Sequence, residues 1–185
     1  MRKPENYDTA IPINTGEFTQ VPPGGYIMRI VNVEIKKTKT GKEMMVLNLD
    51  IAEGEYANYF TDRFLEDSKN NPVSNWKCRY YQLTSGSSVG FFKGMIKSIE
   101  KSNDGYLFDF DESKLTWKLV GGLLQKEKYI DLNGAARVEK TTTKCVALRA
   151  VQTIKDGKFT LPEPSDAPIK KPKDDFVLVP GDFPF

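Results

Sequence analysis

Alternating hydrophobic and polar positions near the start of the chain predict a long β-hairpin. The segments GYIMRIVNVEIKK (residues 25–37) and EMMVLNLDIAEG (residues 43–54) both place an apolar residue at nearly every second position, which is the period of a strand. The intervening KTKTGK is basic and contains Gly41, a residue typical of turns. These two strands are therefore expected to pair through a short turn.

Further along the chain the hydrophobic period changes twice. NWKCRYYQL (75–83) is typical of a third strand, and SVGFFKGMIKSIEKSN (88–103) has apolar residues at helical spacing, with Ser87 or Ser88 as the expected N-cap. KLTWKLVGGLLQKEKYI (114–130) and TTKCVALRAVQTI (142–154) are predicted as strands four and five, joined by a turn at Asn133-Gly134. Gly121 and Gly122 in the fourth strand predict a bulge or bend.

Five strands with one helix between the third and fourth is the element order of an OB-fold, a small Greek-key barrel. The sequence thus predicts a mostly β, OB-fold-like domain over residues 25–157, preceded by an irregular N-terminal arm over 1–24. Residues 158–173 contain four prolines and are predicted to form a disordered Pro/Lys-rich linker, and residues 174–185 form an acidic and hydrophobic tail.

Composition narrows the function classes. The 185 residues include no histidine, the usual general base and the commonest metal ligand, so classical triads and zinc sites are excluded. The two cysteines, Cys78 and Cys145, lie in apolar runs without CxxC spacing, which favours buried, reduced thiols. We find no 18-residue apolar run and no secretory signal, and we expect a cytoplasmic protein with no membrane partner.

Two acidic stretches are candidate sites. Acid clusters such as DFDE (109–112) would suit magnesium-dependent phosphoryl chemistry, but neither a Walker sequence nor a recognisable metal-binding loop accompanies them, so we expect neither an enzyme nor a cofactor. DIAEGEYANYFTDRFLED (50–67) offers aromatic rings among six acidic residues, which would repel phosphates. We predict it to be a loop or edge whose rings pack on the body.

Single-strand binding requires basic groups for phosphates and exposed rings for bases. The first hairpin turn, the third strand and the hairpin of strands four and five supply both. If Cys78 points inward in strand three, Trp76 and Tyr80 are core and Lys77, Arg79 and Tyr81 face outward; the opposite phase exposes Trp76 as a stacking ring. The candidate nucleic-acid-binding residues are Lys36, Lys37, Lys39, Lys42, Trp76, Lys77, Arg79, Tyr81, Lys126, Lys128, Arg137, Lys140 and Lys144.

The last residues carry a family resemblance. Asp174, Asp175 and Asp182 give residues 174–185 a formal charge of −3, which leaves +5 on residues 1–173 from a total of +2. The final Asp182-Phe183-Pro184-Phe185 resembles the tip of bacterial single-stranded DNA-binding proteins, which follow an OB-fold with a linker and an acidic tail. The resemblance implies that these four residues bind replication and repair proteins. The alternative is that the apolar FVLV (176–179) packs on the body as an ordinary strand.

A second resemblance covers residues 90–122, GFFKGMIKSIEKSNDGYLFDFDESKLTWKLVGG, which look like a family of small prophage proteins encoded among replication genes of Gram-positive bacteria. Together the two resemblances imply sequence-independent single-stranded DNA binding in phage or prophage replication or recombination. The alternative is a phage protein-interaction factor, an inhibitor or loader of a replication enzyme, that does not itself bind DNA. Members of the first family are oligomers, and edge-strand pairing would offer a route to a homo-oligomer.

Overall fold

The computed structural model describes residues 20–131 and 138–170. The strands are β1 (Gly24–Lys37), β2 (Glu43–Ile51), β3 (Arg79–Leu83), β4 (Leu119–Asp131), β5 (Val138–Arg149) and β6 (Ser165–Lys170). The helices are α1 (Tyr59–Asn70), α2 (Val89–Ser102) and the short α3 (Val151–Lys155), with 3-10 turns at Gly86–Ser88 and Glu112–Leu115.

The core of the molecule is an open antiparallel sheet with strand order β3-β2-β1-β4-β5, which confirms the predicted mostly β class. Along the described residues, no ladder joins the two edge strands β3 and β5. The two edges nevertheless lie close together, because β3 contacts β5 and the buried Cys78, directly before β3, shares the hydrophobic core with Cys145 of β5. We call this contact between the two edges the seam.

A β-bulge in β1 decides which residues face the core. The register with β2 shifts between Ile30 and Asn32, and the extra residue, Val31, is buried. In a regular strand Arg29 and Asn32, which are three residues apart, would point to opposite faces, since side chains alternate along a strand. The bulge places both on the outer face, across from Asp50 and Asn48 of β2.

Residues Tyr59–Asn70 form helix α1, whereas the sequence predicts a loop or edge over residues 50–67. Its first turn is capped by a group distant in sequence: the Asp50 carboxylate accepts from the Phe60 backbone N–H at 2.9 Å and from the Thr61 hydroxyl. Phe60 and Phe64 lie one turn apart and are buried in the core, in agreement with the prediction that the rings of this stretch pack on the body. The sequence pattern missed this helix because its cap lies in β2.

Helix α2 forms at the predicted position, and Met95, Ile96 and Ile99 are its buried face. Ser88 occupies the N-cap position but its side chain makes no capping hydrogen bond. Strand β4 begins at Leu119, later than the Lys114 expected, because the Glu112–Leu115 turn precedes it.

The glycine pair in β4 is explained by close packing rather than by a bend at that point. A Cβ on Gly121 would lie 2.4 Å from Ile154 Cγ1 of α3, and one on Gly122 would lie 2.5 Å from Met28 Cγ. The register irregularity of the β4–β5 ladder falls slightly later, between Leu123 and Leu124.

The structure describes only part of the two chain ends and of the predicted linker. Part of the stretch predicted as a disordered linker, residues 165–170, forms β6, which pairs in parallel with β4. The Asn133-Gly134 turn, residues 171–185 and most of the N-terminal arm, residues 1–19, lie outside the described residues. Across the described part of the chain, the helices are too short or too polar to cross a membrane.

The close approach of Gly121 to α3 generates a stability prediction. Gly121→Ala should lower the free energy of unfolding by about 1–3 kcal/mol, because the added methyl overlaps Ile154 and the Ala150 carbonyl. Gly94→Ala is the matched control: nothing lies within 4 Å of its Cβ position in α2, and the change should stabilise the helix by up to about 1 kcal/mol. Urea unfolding of both variants measures the difference, and equal effects would contradict the packing argument.

Burial of the two thiols generates a second prediction. Burial raises the pKa of Cys145 to about 12 and the pKa of Cys78 well above its ordinary value. Both thiols should therefore stay protonated and resist Ellman's reagent at pH 8, but react fully in denaturant. Because the folded pKa values are raised, their stabilising contribution is complete below the unfolded thiol pKa of about 8.5 and falls as the pH rises above it. Rapid labelling of the native protein would contradict the burial.

Candidate nucleic-acid interface

The tip of the β1–β2 hairpin carries three exposed lysines, and no ion pair neutralises them within the described residues. Lys37, Lys39 and Lys42 are exposed, and within the described chain no ion pair involves any of them. The backbone turns tightly here, with the Thr38 N–H donating to the Lys42 carbonyl at 2.8 Å and Gly41 at φ 78°. The three ammonium groups are therefore held on one short turn with their charge available to an anion.

Lys36 differs from its neighbours. Its ammonium lies 2.6 Å from Glu34 on the outer face of β1, and the side chain is largely covered. Lys36 therefore neutralises a carboxylate on the face next to the tip instead of adding free positive charge.

Next to the tip, the outer face of β2 and β3 presents Tyr81. Tyr81 pairs with Val46 and is 42% exposed, and Leu83 pairs with Met44 one row nearer the tip. From Tyr81 to Thr84, which hydrogen-bonds to Glu43 at the start of the tip, is three residues, or about 10 Å along the strand. A ring and three cations thus lie within the span of a short oligonucleotide.

Cys78 is buried, so the third strand has the orientation in which Cys78 points inward, and this fixes the positions of its other candidate residues. Trp76 is only 2% exposed and its indole N–H donates to the Leu49 carbonyl at 2.9 Å, so it is a core residue and cannot stack on a base. Lys77 is exposed but lies 3.3 Å from the Asp67 carboxylate. Arg79, expected outward and available, is on the outer face but buried, with Nη2 donating to Asn75 Oδ1 at 3.2 Å. Residues 52–77 fold over that part of the face.

The β4–β5 hairpin carries the other basic candidates. Lys126 and Lys128 are exposed, and Lys144 lies 3.2 Å from the Glu127 carboxylate, which offsets its charge. Lys140 lies on β5 opposite Tyr129, and Arg137 falls outside the described residues. The partner-binding residues Asp182, Phe183, Pro184 and Phe185 also fall outside them.

Two features of the segment between α2 and β4 were not expected from the sequence. The first is an aromatic group in which the half-buried rings of Phe92 of α2 and Phe108 contact each other and Phe108 contacts the exposed ring of Phe110, with the exposed Leu107 adjacent in sequence. Phe110 is 80% exposed. We call these four residues the aromatic patch.

Ionised carboxylates border the aromatic patch. A hydrogen bond from Lys114 lowers the pKa of Asp109, and hydrogen bonds from Ser113 lower the pKa of Asp111. Glu112 adds a third carboxylate, while Lys114 is bound to the first two. The patch therefore combines apolar rings with a negative border, which disfavours phosphate.

The second unexpected feature joins Arg29 to Trp117. The guanidinium carbon of Arg29 lies 5.2 Å from the centre of the Trp117 ring, and Arg29 Nη2 donates to Asn58 Oδ1 at 2.7 Å. Asp50 Oδ2 is 3.9 Å from the same nitrogen. Sequence reasoning placed Trp117 inside a strand, and no local pattern indicates that it meets Arg29 on the outer face.

Among the described residues, no three Cys, Asp or Glu side chains converge as metal ligands would.

Comparison with known proteins adds one finding. A family model described as "Protein of unknown function (DUF669)" matches residues 6–95, just under half of the chain. The match includes the basic tip, Tyr81 and Arg29, and ends within α2, before Trp117. No curated protein matches the chain significantly.

Proposed function

We propose that this protein binds single-stranded DNA without reading its sequence. The observation that carries the proposal is the hairpin tip, where Lys37, Lys39 and Lys42 have no ion pair within the described residues and lie beside the exposed ring of Tyr81. Phosphate neutralisation and base stacking are the two interactions that sequence-independent binding uses.

The strand order supports the proposal. Joining β3 to β5 would convert the open path β3-β2-β1-β4-β5 into a closed five-stranded barrel, and the seam already brings those two edges together. With α2 between β3 and β4, this order is compatible with an OB-like domain, and the second and third strands and first hairpin loop of such domains commonly contact oligonucleotides. In such a domain, the tip and Tyr81 would occupy these positions.

The C-terminal peptide completes the proposal. Residues 182–185 would recruit replication or repair proteins by inserting an aromatic ring and carboxylate into an apolar pocket with a basic border. This part rests on the sequence resemblance, as does the assignment to phage or prophage replication or recombination.

A second candidate function is a protein-interaction factor that does not bind DNA. The aromatic patch favours it, because exposed rings with an acidic border suit a protein surface that combines apolar and basic side chains. The two candidates differ in one property: only the first requires salt-sensitive binding of DNA by the folded domain.

The deciding experiment is a titration of the full chain with oligo-dT of about 35 nucleotides, longer than an OB-type site of about 4–16 nucleotides, at several salt concentrations. Saturable binding that weakens steeply with salt supports the first candidate. Absence of binding at low salt refutes it and leaves the protein-interaction factor.

The basic tip generates a prediction for this titration. Replacing Lys37, Lys39 and Lys42 together by Gln should weaken dT binding at low salt by at least about tenfold and reduce the slope of log K against log salt by about 2, since each phosphate contact on a single strand contributes about 0.7. The matched control replaces Lys93, Lys101 and Lys155 by Gln, which removes the same charge from α2 and α3 instead of from the hairpin. If both triple variants lose the same affinity, net charge rather than the tip determines binding.

The charge difference between residues 1–173 and residues 174–185 generates a second prediction for the dT titration. Removing residues 174–185 should tighten dT binding several-fold at low salt, because their −3 charge competes with phosphates for basic groups, and the gain should disappear at high salt. Asp174→Asn, Asp175→Asn and Asp182→Asn in the full chain test charge alone. Unchanged affinity in both proteins would show that the tail does not compete.

A further inference from the structure

Backbone strain in the described residues concentrates around Arg29. Three non-glycine residues have positive φ: Asn58 at 62°, Phe110 at 66° and Trp117 at 67°. Asn tolerates this conformation, but a bulky aromatic residue adopts it only when its surroundings impose it. Two of the three, Asn58 and Trp117, contact the guanidinium of Arg29.

Trp117 is fixed to β1 by its backbone. Its N–H donates to the Ile30 carbonyl at 2.7 Å, and the Ile30 N–H donates to the Lys118 carbonyl at 3.0 Å. Leu115, two residues earlier, is fully buried and anchors the segment from the other side. The backbone therefore determines where the Trp117 ring is presented, next to Arg29.

The ring itself is not used for packing in the way that Trp76 is. Trp117 is 46% exposed, and its indole N–H makes no hydrogen bond within the described residues, whereas the Trp76 indole is buried and bonded. A small residue or glycine would occupy the same backbone conformation with less strain. An exposed aromatic ring kept at a strained position is thus better explained by a ligand than by the core.

The chemistry of the surroundings selects a neutral flat ligand. Arg29 faces the ring but its charge is offset by Asp50 and its Nη2 is bonded to Asn58, so little of that charge is available to a phosphate. The aromatic π-face, in contrast, accepts any nucleobase, and the indole N–H, which has no hydrogen-bond partner among the described residues, can donate to a base carbonyl. A nucleobase fits this site better than an anion does.

The site lies on the same face as the basic tip. Arg29, Asn32, Glu34 and Lys36 all point outward along β1, because each pairs with an outward residue of β2. From Lys37 to Arg29 is eight residues, or about 26 Å along the strand. A bound single strand that starts at the tip could therefore follow β1 to Trp117.

We propose that Trp117 is a base-stacking subsite for single-stranded DNA and that Arg29 is the positioning residue that holds its ring. The inference rests on the proposed function, since it assigns a further contact to the same ligand. A stacking contact contributes affinity without neutralising a phosphate, which separates it experimentally from the lysines of the tip.

The test compares Trp117→Leu, Trp117→Phe and wild type in the dT titration. Trp117→Leu should weaken binding by about fivefold to a hundredfold with an unchanged salt slope, and Trp117→Phe should retain most of the affinity. Phe110→Leu is the matched control, because Phe110 is also an exposed aromatic residue at positive φ but lies in the acidic segment; it should bind like wild type.

The outcomes separate the two proposals. Wild-type protein that binds dT while Trp117→Leu binds equally well overturns the subsite and keeps the proposed function. Equal losses in Trp117→Leu and Phe110→Leu also overturn it, since the loop conformation rather than the ring would then be responsible. Failure of the wild type to bind removes the proposed function itself.

Tryptophan fluorescence tests the contact between Trp117 and dT even where a variant binds dT as tightly as the wild type. The chain has only two tryptophans, and Trp76 is buried. Saturating dT should quench wild-type emission, and Trp117→Phe, which retains Trp76 alone, should show no quenching. Quenching that persists in Trp117→Phe would assign the signal to Trp76 and overturn the stacking role of Trp117.

Discussion

A single buried carboxylate, that of Asp50, fixes the arrangement of the outer face. Asp50 is fully buried, and a buried carboxylate is costly unless hydrogen bonds or a counter-charge compensate it. It accepts from the Ile51 N–H at 2.8 Å and from Phe60 and Thr61 at the start of α1, and it lies 3.9 Å from Arg29. The helix must therefore begin over the end of β2, and Arg29 must lie beside it.

This arrangement divides the outer face into two parts with different properties. Near Asp50, residues 52–77 cover the sheet, and Arg79 is buried beneath them. Toward the hairpin tip the face is more accessible, with Tyr81 exposed beside Lys37, Lys39 and Lys42, which form no ion pair within the described residues. Arg29 lies at the boundary, where it connects the helix that covers the sheet to the Trp117 ring.

Regular periodicity predicted the regular elements. The β1–β2 hairpin and α2 follow from the positions of apolar residues alone, because their faces meet the core directly. Helix α1 could not be predicted in this way, since its capping carboxylate lies in β2 and its buried face consists of two rings, Phe60 and Phe64.

Candidate binding residues were predictable only as far as their partners are local. Counting charges identified the lysines of the tip, but ion pairs between distant positions, Lys77 with Asp67 and Lys144 with Glu127, reduce the number of available cations. The sequence of one strand supports both a buried and an exposed Trp76, and tertiary packing decides between them. Trp117 was missed because a positive φ has no periodic signature.

The seam between β3 and β5 determines where the sheet is easiest to open. Elsewhere in the described sheet, separating two neighbouring strands breaks a ladder of backbone hydrogen bonds, whereas here it chiefly disrupts side-chain contacts around Cys78 and Cys145. Local opening should therefore start at the two edge strands, and their amide hydrogens should exchange with solvent before those of β1 and β2. Such a boundary would let the sheet widen around a flexible ligand between β3 and β5 while the pairing of its central strands stays intact.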